Sequence, residues 1–278
     1  MANVSILILT YNEEANLPTC LESVRWSDDI HVVDSGSTDR TLEIARAAGA
    51  HIYTHPFENF SCQRNWALAN ARLRHQWVLS LDADEVVPPE LAEEIVRAVA
   101  AAPADVNGYA MRWKVLFLGR WLQHVSQYNS FWFLRLYRHR AARYEDRQVN
   151  AYALVEGTTG RLENLLVHDN RKGLTDLVEK FNRYAALEAE ETLRLRGGRS
   201  QTGLPARLGG AEAERRRRLK QLYMRLPFRA PIKLFYLFVA CRGFLDGLPG
   251  FFYAALMAGQ EFLIAAHVAT RKRGLPIR

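Results

Sequence analysis

Two apolar runs, each ending abruptly in polar residues, constrain the fold of this chain more than any other feature. Residues 5–14 read SILILTYNEE and residues 77–85 read WVLSLDADE. An apolar run of this kind is typical of a parallel strand buried on both faces, and open α/β sheets bind ligands beyond the carboxyl ends of such strands. The sequence therefore predicts two strands that deliver polar side chains to one edge of a sheet.

Short apolar runs alternate with helical patterns through the first hundred residues. Strands are predicted at residues 5–9, 30–33, 51–53 and 77–81, and helices at residues 14–24, 41–48, 62–73 and 89–101. This alternation favours right-handed βαβ crossovers, and so an α/β fold with a mixed, mostly parallel sheet flanked by helices. Between residues 109 and 167 aromatic and β-branched runs predominate, which predicts strands and loops that complete the sheet.

The last third of the chain has a different character. An amphipathic helix is predicted at residues 174–195, a linker at 197–205 and a basic helix at 212–225, followed by apolar stretches at 231–241 and 251–268. The longer stretch reaches the minimum length for a membrane span, but Gln260, Glu261 and His267 interrupt it. We expect this region to lie in a membrane interface, and packing on the rest of the chain or dimerisation is the alternative.

Net charge and cysteine content narrow the kind of protein. The formal net charge is +7, and an Arg-rich stretch at residues 194–229 supplies much of it, which favours polyanions or anionic lipid as neighbours. The three cysteines are widely separated, without the spacing of a zinc site or a disulfide framework, so we expect a reducing compartment. No secretory signal is visible before the first apolar run, and the expected location is cytoplasmic.

The loop after the first predicted strand carries groups suited to a nucleoside. Thr10, Tyr11 and Glu13 combine a hydroxyl, an aromatic ring that can stack on a base, and a carboxylate suited to ribose hydroxyls. The second predicted strand ends at Asp34, which is also expected to contact the ligand. Asp39 follows a glycine-containing turn, where a helix cap is the more common role.

The phosphates of such a ligand need a counter-charge. Neither glycine-rich phosphate loop, GxGxxG or GxxxxGK[ST], occurs in the sequence, which argues against dehydrogenases and P-loop enzymes. Asp82 and Asp84, two apart on an extended chain, point to one side and can bind one Mg²⁺ or Mn²⁺ ion that holds a diphosphate. Arg64, in the helix before that strand, is a candidate phosphate contact, and a solvated surface arginine is the alternative.

Together these segments resemble the family 2 glycosyltransferases, the inverting enzymes with the GT-A fold. The matching segments are Thr10–Glu13, Val33–Asp39, Gln63–Asn65 and Leu81–Glu85. The likeness is especially to the bacterial branch that adds sugars, such as glucose in β-linkage, to lipopolysaccharide core or exopolysaccharide. It implies that a nucleoside-diphosphate sugar, with UDP-hexose as the expected donor, binds to Thr10, Tyr11, Glu13, Asp34 and Asp82, and that Asp84 binds the metal ion.

On this resemblance, residues 1–196 are expected to form the GT-A catalytic domain. Its nucleotide-sugar half is expected at about 1–105 and its acceptor half at about 106–196. Residues 197–278 are then a basic, amphipathic helical extension that associates with the inner face of the cell membrane. A saccharide or a lipid-linked acceptor would be the second substrate.

The base that an inverting enzyme needs is harder to assign. Relatives often carry a His-Glu pair where this chain has Asn150 and Ala151. We therefore expect Asp146, or second Glu145, to remove the proton of the acceptor hydroxyl. The alternative for both residues is an ion pair with neighbouring arginines at the surface. His168 ends another apolar run and is a candidate metal or diphosphate contact, with a structural histidine as its alternative.

Two other functions agree with some of these residues but not with others. A sugar nucleotidyltransferase uses a similar fold and metal, but those enzymes generally have a glycine-rich loop and a basic residue after the first strand, where this chain has Thr-Tyr-Asn-Glu. A nucleic-acid-binding protein would explain the run Arg215–Arg218 but not the acidic groups at the strand ends, which repel phosphates. We therefore expect no nucleic acid among the partners.

Overall fold

The computed structural model describes residues 3–145, 152–196 and 228–273, and the chain divides into two units, Met1–Gly173 and Leu174–Arg278. The helix that begins at Gly173 therefore groups mainly with the C-terminal unit, whereas the domain boundary predicted from the sequence follows residue 196. That boundary stays a prediction, because the predicted linker and the basic helix at 212–225 lie outside the described residues.

Strands and helices alternate in the first unit as predicted. The described strands are β1 Val4–Thr10, β2 Ile30–Asp34, β3 His51–Thr54, β4 Trp77–Asp82, β5 Glu85–Val86, β6 Val106–Phe117, β7 Arg120–Trp121, β8 Phe133–Arg138, β9 Ala142–Tyr144, β10 Ala153–Val155 and β11 Thr158–His168. The helices of this unit are α1 Leu17–Ser23, α2 Thr41–Ala47, α3 Phe60–Asn70 and α4 Pro89–Ala100. Short 3₁₀ turns occupy Gln127–Ser130 and His139–Ala141.

Nine of these strands form one mixed sheet in the order β3-β2-β1-β4-β8-β6-β11-β5, with β7 paired to β6. The first four strands are parallel to one another, β8 is antiparallel to both β4 and β6, and β6 runs parallel to β11. Strands β9 and β10 form a separate hairpin. The predicted α/β class, with helices flanking a mixed, mostly parallel sheet, is confirmed.

The central strands are apolar because helices cover both of their faces. Val4, Ile6, Leu7 and Ile8 of β1 are fully buried, as is Leu79 of β4. Removing this much apolar surface from water is the main favourable contribution to folding. The core therefore fixes β1 beside β4, with Leu9 opposite Asp82, and so brings the two polar strand ends together.

Helix α1 begins later than predicted. The sequence pattern placed its start at Glu14, whereas the helix begins at Leu17, with a proline in its first turn. Proline is favoured there because it has no N–H to satisfy and its φ suits a helix. The backbone N–H groups of Asn16 and Leu17 both donate to the carbonyl of Glu13, so the preceding residues form a turn.

The C-terminal unit is helical in its described part. Its helices are α5 Gly173–Arg196, α6 Arg229–Phe235 and α7 Gly247–Lys272, with a π-helical turn at Tyr236–Ala240 and a 3₁₀ turn at Gly243–Asp246 between the last two. Ala185 and Ala189 of α5 pack against Ile264 and Val268 of α7. The guanidinium of Arg229 pairs with Glu261, which joins the start of α6 to the middle of α7.

Candidate active site

The loop after β1 is held in one conformation by its own side chains. The hydroxyl of Thr10 donates to Oδ1 of Asp34 at 2.9 Å. Asn12 has a φ of 52°, in the left-handed region that asparagine tolerates, and its Oδ1 accepts the backbone N–H of Thr38 at 2.8 Å. Tyr11 is about half exposed at 54%. The ring proposed to stack on a base is therefore presented to solvent by a fixed loop.

Asp34 organises the second loop of the site. It is fully buried, and its carboxylate accepts the backbone N–H groups of Gly36 and Ser37 and the hydroxyls of Thr10 and Ser37. Gly36 has a φ of +92°, which a residue with a side chain rarely adopts, so the glycine permits this turn. The predicted contact of Asp34 with nucleotide stays a prediction, and the structure gives this residue a clear task in shaping the loop.

Asp39 was expected to cap α2, but the N-cap residue of this helix is Arg40, and Asp39 lies one residue before it. Its Oδ1 accepts the backbone N–H and the hydroxyl of Thr41, and its Oδ2 accepts the N–H of Glu14. Burial raises the pKa of this carboxyl, but the hydrogen bonds outweigh burial and the pKa lies below its ordinary value. Asp39 therefore joins the loop after β2 to the loop after β1.

Glu13 pairs with a lysine from a distant part of the chain. Its Oε1 accepts from Nζ of Lys172 at 2.6 Å and its Oε2 from Asn16 at 2.7 Å, while Lys172 also donates to the carbonyl of Tyr11. Burial raises the pKa of Glu13, and the lysine and the asparagine oppose that rise. The pairing brings the loop after β11 beside the predicted ribose contact.

Asp82 lies between two arginines at the carboxyl end of β4. Arg64 donates to its Oδ1 at 2.5 Å, and Arg135 donates to its Oδ2 at 2.8 Å and to Oε1 of Glu85 at 2.7 Å. Both guanidinium groups are more than 90% buried. The predicted position of Arg64 at the site is thus supported by direct contact with Asp82, whereas a solvated surface arginine is not what the structure shows.

Glu85 completes this buried network. It is fully buried, and its Oε2 accepts the backbone N–H of Asp82 at 2.8 Å. Burial raises the pKa of Glu85 to about 7, against the lowering effect of Arg135. Arg135 is buried as well, yet the two carboxylates hold its pKa well above the ordinary value. The network gives Asp82 a defined orientation from three sides.

Asp84 faces His168. Its Oδ2 lies 3.3 Å from Nε2 of His168, which ends β11, and both side chains are largely buried. The carbonyl of Asp84 also accepts the N–H of Asp169 at 2.9 Å. Strand β11 is antiparallel to β5, with His168 opposite Glu85, so this register brings the two groups together.

The donor atoms of this pair fit a divalent cation. Among residues 3–145, 152–196 and 228–273, no cluster of three or more His, Cys, Asp or Glu side chains is placed to hold a metal ion. Mg²⁺ is commonly held by one or two carboxylates together with substrate phosphates and water, and adjacent ligands of an octahedral ion lie about 3 Å apart. Asp84 supplies one such carboxylate, with the imidazole nitrogen of His168 3.3 Å from it, whereas both oxygens of Asp82 face arginines.

The segment that leads to Glu145 lies beside the arginine network. Asn65 of α3 binds the backbone of Tyr144 twice, donating to its carbonyl at 3.0 Å and accepting its N–H at 2.7 Å. The ring of Tyr144 lies 5.2 Å from the guanidinium carbon of Arg64. Glu145 follows directly, and its N–H donates to the carbonyl of Tyr152. Asp146 lies outside the described residues.

Three contributors to the site were missed in the sequence: Glu85, Arg135 and Lys172. Glu85 belongs to a motif that was recognised only for its aspartates. Arg135 and Lys172 come from distant segments, and their positions depend on the pairing of β8 with β4 and on the loop after β11. A basic residue within an otherwise apolar strand, as at Arg135, is the signal that would have found one of them.

The mixed sheet, with acidic side chains at or just after the carboxyl ends of the parallel strands β1, β2 and β4, is an α/β fold of the kind that binds ligands at that edge. The profile of glycosyl transferase family 2 matches residues 5–154, more than half of the chain. The protein belongs to this family, as its motifs indicated.

Known proteins are similar to the chain over most of its length. The lipopolysaccharide core biosynthesis glycosyltransferase LpsC of Rhizobium meliloti is 27% identical over 277 residues, covering 96% of this chain and 92% of LpsC. An uncharacterised glycosyltransferase of Rickettsia typhi is 29% identical over 205 residues, covering 70% and 69%. These relatives confirm the predicted resemblance to the lipopolysaccharide branch of the family.

A solved structure shares the fold. The crystal structure of S. aureus TarS residues 1–349 in complex with UDP-GlcNAc aligns with a TM-score of 0.50 at 17% identity, covering 99% of this chain and 93% of that one. At this identity the likeness concerns the fold alone.

Proposed function

We propose that this glycosyltransferase transfers a hexose, with inversion, from a nucleoside-diphosphate sugar to a saccharide or lipid-linked acceptor in lipopolysaccharide or exopolysaccharide biosynthesis. The observation that carries the proposal is the meeting of Asp84 with His168 beside the arginine-held Asp82 at the carboxyl end of β4. The similarity to LpsC supports the lipopolysaccharide assignment. UDP-hexose is the proposed donor.

In this proposal the loops after β1 and β2 hold the nucleoside. Tyr11 stacks on the base, Thr10 and Asp34 keep the loop in position and contact the base, and Glu13 and Asp82 bind ribose or sugar hydroxyls. Lys172 orients Glu13 through their 2.6 Å contact. Arg64 places a positive charge where the diphosphate lies.

Asp84 and His168 would hold Mg²⁺ or Mn²⁺, with Asp82 as a further candidate ligand. Bound there, the ion would neutralise charge that develops on the diphosphate leaving group. The residues of the chain orient this centre: Arg135 and Glu85 fix Asp82, and the β5–β11 pairing fixes His168. Precise placement of this kind is how an enzyme favours a transition state over a ground state.

Inversion requires a base on the acceptor side. Asp146 or, second, Glu145 removes the proton of the acceptor hydroxyl as that oxygen attacks the anomeric carbon opposite the diphosphate. Asn65 holds the backbone of Tyr144, which directly precedes Glu145. The nucleotide-sugar half at about 1–105 and the acceptor half at about 106–196 then meet at β4 and its neighbours.

The C-terminal helices support the proposed peripheral association with an anionic membrane surface. The segment Gly243–Lys272 is long and apolar enough to cross a membrane by length and composition. Large apolar side chains of residues 228–273 are exposed, among them Phe235, Tyr236, Phe244, Leu245, Leu248, Phe251, Phe252 and Phe262. Such a surface is typical of membrane or protein contact.

Charge in this segment favours a lipid surface. The acidic residues of 228–273 are Asp246, which is buried, and Glu261, which pairs with Arg229. Arg242, Lys272 and Arg273 are exposed. Exposed charge within the segment is therefore cationic, as expected of a helix pair that lies on anionic lipid at the inner face of the cell membrane.

Two assays test the proposed function, one for binding of the nucleotide sugar and one for transfer of the sugar. Stabilisation of the protein against heat is measured with UDP-, GDP- and dTDP-sugars, with and without Mn²⁺, because a ligand raises the melting temperature by mass action. We expect a metal-dependent rise with UDP-hexose. The Asp146→Asn variant should keep that rise and lose transfer, whereas normal transfer by this variant would move the base to Glu145.

Two further measurements separate the alternatives. A sugar nucleotidyltransferase would release pyrophosphate from a nucleoside triphosphate and a sugar 1-phosphate, and we expect none. Binding to single-stranded or duplex nucleic acid at physiological salt would favour the other alternative, and we expect no binding beyond a weak salt-sensitive background.

A further inference from the structure

Four aromatic side chains form one cluster in the acceptor half of the first unit. The ring of Trp113 stacks on that of Phe133 with centres 4.0 Å apart, and the ring of Tyr128 lies 5.4 Å from Trp113 and 6.1 Å from Phe133. The ring of Phe131 lies 6.4 Å from that of Phe133. These four rings are called the aromatic cluster below.

The aromatic cluster lies on the face of the sheet that holds His168. Trp113 pairs with Leu166 and Val115 pairs with His168, and the two pairs are two residues apart on both strands, so Trp113 and His168 point to the same face. The ring centre of Trp113 lies 5.7 Å from that of His168 and 5.3 Å from the guanidinium carbon of Arg135. The cluster therefore adjoins both the proposed metal pair and the buried arginine network.

The strand order separates the aromatic cluster from the nucleotide loops. Strands β8 and β6 follow β4 on the side opposite β1 and β2. Strand β8 is antiparallel to β4, so its first residue, Phe133, lies toward the edge of the sheet where β4 ends at Asp82. A second substrate that approaches the metal pair from the side remote from the nucleoside therefore meets the cluster.

Two rings of the aromatic cluster are open to solvent. Tyr128 is 40% exposed and Phe131 is 49% exposed. Both lie in the segment between β7 and β8, which the fully buried side chains of Leu122 and Val125 anchor to the unit. One side of a pyranose ring presents mainly C–H groups, and an aromatic face offers an apolar surface for it. Aromatic surfaces with a few polar groups among them are typical of small-molecule sites.

Polar atoms without a hydrogen-bond partner accompany these rings. Among the described residues, they include the buried atoms Nε1 of Trp113, Oγ of Ser126 and Oδ1 of Asn129. Ser126 and Asn129 flank Tyr128 within the same segment. Buried polar groups are rarely left unpaired in native proteins. A ligand that carries hydroxyl groups, as a saccharide does, offers partners of the right kind.

We propose that Tyr128 and Phe131 stack on a sugar ring of the acceptor, and that Trp113 and Phe133 support them from the sheet. The ligand group is an uncharged pyranose, recognised by its C–H face and its hydroxyl groups. The inference rests on the proposed function, because it names the residues that bind the second substrate of the same site.

Binding of a sugar probe tests this proposal. The probe is a lipopolysaccharide core oligosaccharide that has been deacylated, dephosphorylated and carboxyl-reduced, and calorimetry measures its affinity in the presence of UDP and Mn²⁺. We expect Tyr128→Ala and Phe131→Ala each to weaken binding about tenfold, because each removes one stacking surface. Tyr128→Phe keeps the ring and should bind nearly as well as the unmodified protein. Added salt should change these affinities little, since the probe is uncharged.

Arg161→Gln is the matched control on the other face of the sheet. Arg161 pairs with Ala110, three residues before Trp113 on β6, so Arg161 and Trp113 point to opposite faces. This variant should bind the probe as the unmodified protein does. A tenfold loss in Arg161→Gln would place the sugar on the wrong face for this proposal. Unchanged binding in both alanine variants, or no binding by the unmodified protein, would overturn it as well.

Donor binding separates failure of this inference from failure of the proposed function. The rise in melting temperature with UDP and Mn²⁺ should be the same in all of these variants. A smaller rise in Tyr128→Ala or Phe131→Ala would show that the rings bind the nucleotide, and it would overturn their assignment to the acceptor. Absence of the rise in the unmodified protein would reject the proposed function itself.

Discussion

Oδ2 of Asp84 lies 3.3 Å from Nε2 of His168, although the two residues belong to distant parts of the sequence. The contact depends on the antiparallel pairing of β5 with β11, which sets His168 opposite Glu85. A histidine at the end of an apolar strand is thereby brought to the acidic motif at the end of β4. The 3.3 Å contact with Asp84 supports the proposed role of His168 as a metal ligand.

His168→Asn should weaken metal-dependent donor binding. Mutation of a residue that only supports a metal ligand typically lowers affinity by about 10- to 100-fold, so removal of His168 as a ligand should lower the affinity for Mn²⁺ by at least about 10-fold, while UDP binding without metal stays unchanged. The measurement is a Mn²⁺ titration in the presence of UDP. His75→Asn, which changes a histidine paired with Asp28, is the control and should keep the affinity of the unmodified protein.

Arg135→Met should destabilise the fold more than most single substitutions. It leaves Asp82 and Glu85 without their shared cation in a buried setting, and the loss of one member of such a pair costs about 3–5 kcal/mol. Urea denaturation measures this loss. Adding Glu85→Gln should recover part of the stability, and a double variant no more stable than Arg135→Met would show that the two residues are not coupled.

The strands and helices of the first hundred residues were predictable because local sequence patterns determine them. Strand β4 was placed within one residue, and α4 ends one residue earlier than predicted. The start of helix α1 was predicted too early. The helix begins at Leu17, with Pro18 in its first turn, whereas the helical pattern in the sequence extends toward the N-terminus as far as Glu14. Strand periodicity and short loops are enough to recover a βαβ arrangement.

The site was predictable only in part, because half of it depends on pairings between distant segments. Asp82, Asp84 and Glu13 follow apolar strands and could be found by that position. Arg135 and Lys172 carry no local signal of their partners, which depend on where β8 and the loop after β11 lie. The structural role of Asp34 could not be predicted either, because the four hydrogen bonds that its carboxylate accepts in the two loops form only in the folded chain.

Asp29→Asn should reduce stability at neutral pH and make it less sensitive to acid. Burial raises the pKa of Asp29, but hydrogen bonds from Ser5, from the backbone N–H of Arg74 and from His31 outweigh it and hold the pKa well below its ordinary value. A carboxyl with a lowered pKa in the folded state stabilises the fold above its unfolded pKa, near 4, and the contribution is lost as pH falls.

The unmodified protein should therefore lose stability below about pH 4 more steeply than the Asn variant, which should be about 2 kcal/mol less stable at pH 7. Urea denaturation between pH 7 and pH 3 gives both curves. Glu93→Gln, at an exposed ion pair on α4, should leave the curve of the unmodified protein unchanged. Parallel curves for Asp29→Asn and the unmodified protein would contradict the assignment.

Phe235→Ser together with Phe252→Ser should reduce binding to vesicles that contain phosphatidylglycerol. Both rings are exposed, and transfer of a phenylalanine side chain from water to an apolar phase contributes about 1.5–3 kcal/mol, so at least a tenfold loss is expected. Cosedimentation measures it. Phe57→Ser, an exposed phenylalanine of the first unit, is the control. Equal cosedimentation of all three proteins would place the membrane contact elsewhere.

The most direct test of the central claim is calorimetric titration of UDP into the unmodified protein and into Asp84→Asn, each with and without Mn²⁺. The proposed site predicts that Mn²⁺ tightens UDP binding by at least tenfold in the unmodified protein and has no effect in the variant, while metal-free binding is the same in both. An equal gain from Mn²⁺ in the two proteins would contradict the account, because the ion would then be held without Asp84.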